Sequence, residues 1–209
     1  MNRGRRHTSP TRQIVDADGN IYTSVVIGTQ TWLVENLKTT HFNNGDTIPN
    51  PVNNIDWTNL TTPAYCWYSN NSGYKTPYGA LYNFYAAVDN RGIAPVGFHV
   101  PTDAEVSTLI TYLGGLSAAG GVMKETGTTH WTTPNTGATN TSGFTALPGG
   151  YRTVNGVYSL MSTNGCYGTG TVYNGSYGIE YSLSNTSATI TRNTVWTKPN
   201  GFSIRCIKY

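Results

Sequence analysis

Turn-forming residues interrupt this chain so often that only two segments can hold a helical hydrophobic period. Gly supplies 24 of the 209 residues and Pro 10, and these two residue types are the strongest local breakers of regular structure. The first segment, residues 78–88, places Leu81, Phe84, Tyr85 and Val88 at helical spacing. The second follows Pro101. Thr102 with Glu105 three residues on is a capping-box signature, Val106, Leu109, Ile110 and Leu113 form an apolar stripe, and Gly114-Gly115 ends it.

The remainder reads as strand and ordered loop. The β-branched run 21–27 follows the turn Asp18-Gly19-Asn20, turns again at Gly28-Thr29-Gln30 and returns through Thr31-Trp32-Leu33-Val34, which predicts a hairpin. Residues 39–73 read as irregular loop enclosing a short strand at 64–68, and the segment after Gly120 reads as loop again. Residues 178–183, 188–191 and 202–207 alternate apolar with polar, the mark of strands with one buried face. If Ile179, Leu183 and Ile190 point inward, then Glu180, Ser182, Thr189 and Thr191 point outward. The predicted class is α+β: two short helices with antiparallel strands and long ordered loops.

Charged residues are only 11% of the chain, but 15 Tyr and 5 Trp supply enough apolar surface to fold it. The net charge of +3 gathers in Arg3, Arg5, Arg6 and Arg12. Residues 1–13 therefore read as a basic flexible arm and residues 14–209 as one domain. No basic stripe runs through the body, so no nucleic-acid partner is expected. No segment approaches the ~20 apolar residues of a membrane span, and the basic start lacks the apolar run of a signal peptide. Cys66, Cys166 and Cys206 show no zinc-site spacing, and His7, His41, His99 and His130 are scattered. No metal, cofactor or cysteine nucleophile is expected. Asp103 and Glu105 are read as stabilising a helix N-terminus, and His99 as a packed, hydrogen-bonded histidine.

Several strings, taken together and in order, resemble the Fibrobacter succinogenes major paralogous domain family. They are residues 16–22 (DADGNIY), 27–37 (IGTQTWLVENL), 78–85 (YGALYNFY), 95–105 (PVGFHVPTDAE), 142–152 (SGFTALPGGYR) and 200–206 (NGFSIRC). The resemblance implies a C-type-lectin-like fold of the subtype shared with formylglycine-generating enzymes. It also implies a secreted, cell-surface or virion location and no known catalytic activity. Related domains serve as variable proteins of diversity-generating retroelements, whose codons are rewritten near the C-terminus. The chain departs from the family at Ala94, where a Cys usually stands, so the resemblance carries no disulfide to Cys206. It departs again at residues 166–170, where small and polar residues replace an aromatic motif.

Tyr, Asn, Ser, Thr and Gly fill 33 of the 50 positions from 151 to 200. Tyr gives large amphipathic contact at low rotamer cost, and Ser, Asn and Gly adapt their hydrogen bonding, so this palette suits recognition. The expected function is a non-enzymatic ligand- or receptor-binding module with a variable region at about 160–198. The candidate surface is Tyr167, Thr169, Tyr173, Asn174, Tyr177, Tyr181, Asn185, Thr189, Asn193 and Trp196. For any one Tyr or Trp among them, core packing is the competing reading. The expected partner is a protein or glycan on a cell surface, with oligomerisation left open. A structural surface or phage-tail component is the first alternative, and a divergent oxidase using paired cysteines the second. Glu180 is the single carboxylate of residues 151–200, too few for a calcium site of ~6–8 oxygens.

Overall fold

The computed structural model describes residues 13–209; apart from Gln13, the expected basic arm lies outside the described residues. The opening hairpin is present. Strands β1 (Ser24–Ile27) and β2 (Gln30–Leu33) pair antiparallel from Ile27↔Gln30 to Ser24↔Leu33. Gly28 makes the turn at a positive φ of 61°, a region that glycine enters without strain. Two-residue strand β3 (Phe98–His99) and the C-terminal strand β7 (Ile207–Lys208) complete a sheet of order β1-β2-β7-β3. The start and end of the domain are thereby tied together.

Helix α1 (Asp103–Tyr112) begins at Thr102 with both capping-box bonds formed, and it buries Val106, Leu109 and Ile110. A second helix, α2 (Leu116–Met123), follows at once. Its Gly120 and Gly121 weaken the helical signal in the sequence. The structure explains both glycines: a Cβ on Gly120 would lie 2.7 Å from the carbonyl oxygens of Ala188 and Thr189, and one on Gly121 would lie 2.6 Å from that of Gly137.

The helix expected over 78–88 is not formed. Leu81–Tyr82 is a strand paired with Tyr65–Cys66, and only Phe84–Ala87 makes a helical turn. Asn83 is the cause. Its Oδ1 accepts from the backbone N–H groups of Ala86 and Ala64, which makes it an N-cap and not an interior helical residue. Tyr82 meanwhile exchanges backbone hydrogen bonds with Phe202.

The C-terminal part forms a three-stranded antiparallel sheet in the order β4 (Asn164–Val172), β5 (Tyr177–Ser184), β6 (Ile190–Thr197). Its inner face puts Ile179, Tyr181, Leu183 and Ile190 against α1, α2, Trp32 and Phe144. A second core cluster lies under the opening hairpin around Leu33, Leu37, Phe42, Tyr82 and Ile204, and a third surrounds Trp57. The whole is a mixed α+β fold with mostly antiparallel strands and short helices, as the sequence predicts.

Much of the chain is loop, and loop carbonyls have no ladder to satisfy them. Three buried cations supply donors instead. Lys124 Nζ donates to the carbonyls of Thr136, Ser184 and Ser187 at 2.8–2.9 Å. Arg152 donates to Pro51, Val52, Asn53 and Gly156 while stacking over Trp57 at 4.3 Å. Arg205 donates to Leu33, Phe144, Thr145 and the side chain of Asn36, over the Phe144 ring at 4.4 Å. Each pins loops that are distant in sequence. Burial pulls the Lys124 ammonium down to about 8, while the three carbonyls favour its charged form.

Candidate functional site

The C-terminal sheet and its two connecting turns carry all the candidate residues, and the two faces of the sheet divide those in the strands. In β5 the odd positions face the core. Tyr181 is fully buried, and its hydroxyl donates to Asp103 Oδ1 at 2.6 Å. Arg192, opposite Tyr181 in the register, donates to both oxygens of the same carboxylate at 2.7 and 2.8 Å. Those Arg192 bonds, with Tyr181, hold the Asp103 carboxyl below the ordinary carboxylate range. Asp103 therefore does more than favour the helix dipole: it clamps α1 to the sheet. Glu105 completes the capping box and binds His99 Nε2 at 2.8 Å, so His99 is packed and hydrogen-bonded.

Four candidates are structural, against their expected role. Tyr167 is buried edge-on to Phe144, and its hydroxyl is bonded to the backbone of Leu147. Thr169 is buried and donates to the Ile179 carbonyl at 2.9 Å. Tyr181 is the clamp just described. Asn185 is buried and donates to the carbonyls of Thr132 and Thr133. The physical reason is shared: an aromatic or amide in a strand buries as readily as it faces water, provided its polar end finds a partner.

The other six reach solvent in whole or in part. Tyr173, 54% exposed, and Asn174 lie at the β4–β5 turn, where Asn174 Oδ1 accepts from the N–H groups of Ser176 and Tyr177. Tyr177, Asn193 and Trp196 are half-buried; the register Gly178↔Trp196 and Glu180↔Asn193 puts Asn193 and Trp196 on the Glu180 face, while Tyr177, paired with Thr197, lies at the end of the sheet. Thr189 is exposed but sits before the start of β6, at the opposite end from this group. Val195, 73% exposed, and Val172 extend the exposed end; neither is in the predicted set.

The outer face holds what the sequence did not suggest. Glu180, expected outward, is 1% exposed. The sheet is covered on this side too. A Cβ on Gly178 would come 2.7 Å from the Phe84 ring, and one on Gly168 would meet Phe202 and Ile204 at 3.3–3.4 Å. Trp196 closes the cover, edge-on to Tyr151 at 4.8 Å and to Phe202 at 5.5 Å. Gly168, opposite Glu180 in the register, and Gly178, two residues before it in the same strand, are the sequence signal for this close approach.

Under that cover, Asn193 Nδ2 donates to Glu180 Oε2 at 2.7 Å and to Ser182 Oγ at 3.1 Å. The Cys166 thiol and the Trp196 indole approach the carboxyl, yet Oε1 lacks a well-formed hydrogen bond. Trp196 Nε1 and Asn200 Oδ1 are likewise buried and unpartnered among the described residues. Glu180, Trp196 and Asn200 line one cavity of about 20 Å³ walled by Phe84 and Phe202. Burial pushes the Glu180 acid up to about 8, against the opposing bond from Asn193. The Cys166 thiol rises well above its ordinary value through burial and then through Glu180.

The three thiols are free and buried in different surroundings: Cys66 beside Trp57, Cys206 in the second core cluster and Cys166 beside Glu180. Among the described residues no group of three His, Cys, Asp or Glu is placed to hold a metal, and no single helix is long and apolar enough to cross a membrane.

Residues 25–208 match the family described as the Fibrobacter succinogenes major domain. No curated protein and no solved structure matches the chain.

Proposed function

The chain belongs to the Fibrobacter succinogenes major domain family, and from that footing we propose that it is a non-enzymatic binding module whose ligand meets the distal end of the C-terminal sheet. One observation carries the reading. Tyr173, Tyr177, Val172, Val195 and Trp196 gather at one end of a sheet that Asp103, α1 and α2 hold rigid from behind. A rigid base with exposed aromatic and small polar groups loses little entropy on binding. The surface there carries little charge, which suits a protein or glycan on a cell surface better than a nucleic acid.

The C-type-lectin-like assignment, a cell-surface or virion location and retroelement diversification belong to the same proposal. Tyr173, Asn174 and Thr189 are exposed, so variation at these three of the ten candidate positions would not enter the core, which supports a tolerant tail. A near-copy of the DNA encoding residues 160–198, differing only at adenines, would support diversification; its absence from the neighbouring genome would remove it. The oxidase alternative has less behind it, because its chemistry needs paired cysteines and the three thiols lie apart. A structural surface component stays in competition on the binding test.

That test titrates the fluorescently labelled chain onto a panel of intact bacterial cells. Saturable binding should weaken about tenfold or more in the double variant Tyr173→Ala, Val195→Ser. It should persist in Val26→Ser, Ile55→Ser, whose sites are exposed elsewhere. Unchanged binding by the first variant, or saturable binding to no cell, would overturn the reading.

A further inference from the structure

We propose that the cavity beside Glu180 is a socket for one hydroxyl group of a neutral polyol ligand, a proposal that rests on the C-terminal sheet being the binding region. The cavity, at about 20 Å³, exceeds the roughly 10–15 Å³ needed for one oxygen-sized group. Three buried polar atoms around it lack a well-formed hydrogen bond: Glu180 Oε1, Trp196 Nε1, which only approaches the Glu180 carboxyl, and Asn200 Oδ1. Buried polar groups are ordinarily paired, and leaving one unpaired is costly. Three on one small cavity mark a place built to be filled.

Their chemistry selects the occupant. The indole N–H only donates and the amide oxygen only accepts. A hydroxyl does both, so it satisfies the two at once, and the carboxyl can serve as either. An ammonium would leave the indole N–H facing a cation. A carboxylate would face Asn200 Oδ1 and a second acid. Only one oxygen fits, so the rest of the ligand must lie outside, along the Phe84, Ala87, Trp196 and Thr197 side chains that also line the cavity. Apolar walls with few, convergent polar groups are the usual make-up of a small-molecule site. The charged neighbours are already engaged: Arg192 binds Asp103, and Lys198 Nζ donates to the Gly175 carbonyl at 2.7 Å. A neutral ligand fits what remains.

The experiment uses the full chain with its tryptophan indoles labelled with nitrogen-15. The Trp196 resonance is the one deleted in Trp196→Phe. Methyl glucoside, methyl galactoside and a blocked threonine amide are each titrated to about 100 mM, high enough to detect millimolar binding. At least one glycoside should shift the Trp196 indole saturably, and the threonine should not. Binding should weaken about tenfold in Asn200→Ala, and in Trp196→Phe when followed by saturation transfer to the sugar. No saturable shift with either glycoside would mean the cavity holds a resident water and would overturn the proposal. So would binding of the threonine probe alone, or a shift undiminished in Asn200→Ala. Cell binding that is lost in the Tyr173, Val195 variant while neither glycoside binds would sink the socket and leave the binding surface standing.

Discussion

The three buried cations and the buried Glu180 meet the same low-dielectric interior in opposite ways. Lys124, Arg152 and Arg205 each spend their donors on several loop carbonyls. Glu180 has one firm hydrogen bond, from Asn193, and shares its cavity with two further unpartnered atoms. The first arrangement is what a loop-rich scaffold needs, because it ties irregular backbone together where no ladder can. The second leaves polar capacity open beside an exposed, low-charge surface. Completed networks therefore mark structure in this chain, and the incomplete one marks the place where a ligand can contribute.

Arg205→Ala should break the scaffold side most severely. It strips donors from the carbonyls of Leu33, Phe144 and Thr145 and from the Asn36 side chain and should cost about 3–5 kcal/mol in urea unfolding. A loss below about 1 kcal/mol would mean that the cages do not hold the loops.

Glu180 sharpens the contrast through pH. Its acid is pushed up to about 8 in the fold and returns to the ordinary glutamate value on unfolding. Between those values the folded state binds more protons, so stability is full at low pH and falls as pH rises through 8. From pH 5.5 to 8 the loss should be about 3 kcal/mol, and Glu180→Gln should flatten it. Asp18, Asp103 and Glu105, held below their ordinary values, act in the other direction: their stabilisation is present above the ordinary carboxylate range and is lost below it, outside this window. A wild-type curve flat over pH 5.5–8 would show that Glu180 is not held as an acid.

Gly120→Ala sets local propensity against packing. Helix propensity alone predicts a gain of about 1 kcal/mol. Two backbone carbonyls at 2.7 Å from the new Cβ predict a loss of about 1–3 kcal/mol, which thermal unfolding would distinguish by sign. The smallest effect belongs to Tyr173→Ala, at the exposed turn. Its stability should stay within about 0.5 kcal/mol of the parent chain while cell binding falls. A larger destabilisation would place that ring in the scaffold.

The site was less legible than the fold. The capping box at Thr102 and Glu105 and the hairpin turn at Gly28 rest on contacts within a few residues, so a sequence displays them directly. Asn83 shows the limit of periodicity: four apolar residues at helical spacing did not make a helix, because one side chain satisfied two backbone donors better as a cap. In the tail, alternation placed Ile179, Leu183 and Ile190 inward, and they are buried. The same alternation placed Glu180 outward, where Trp196, Phe202 and Phe84 cover it.

The sequence by itself determined the α+β class, the opening hairpin, the capped helix and a C-terminal region rich in residues suited to recognition. Tertiary structure alone decided that Tyr167, Thr169, Tyr181 and Asn185 serve the scaffold, that α2 needs its glycines, and that Glu180 lies in a cavity. The reason is geometric. A strand's period of two assigns each side chain to a face, but what covers that face arrives from residues up to a hundred positions away, and only the folded chain brings them there.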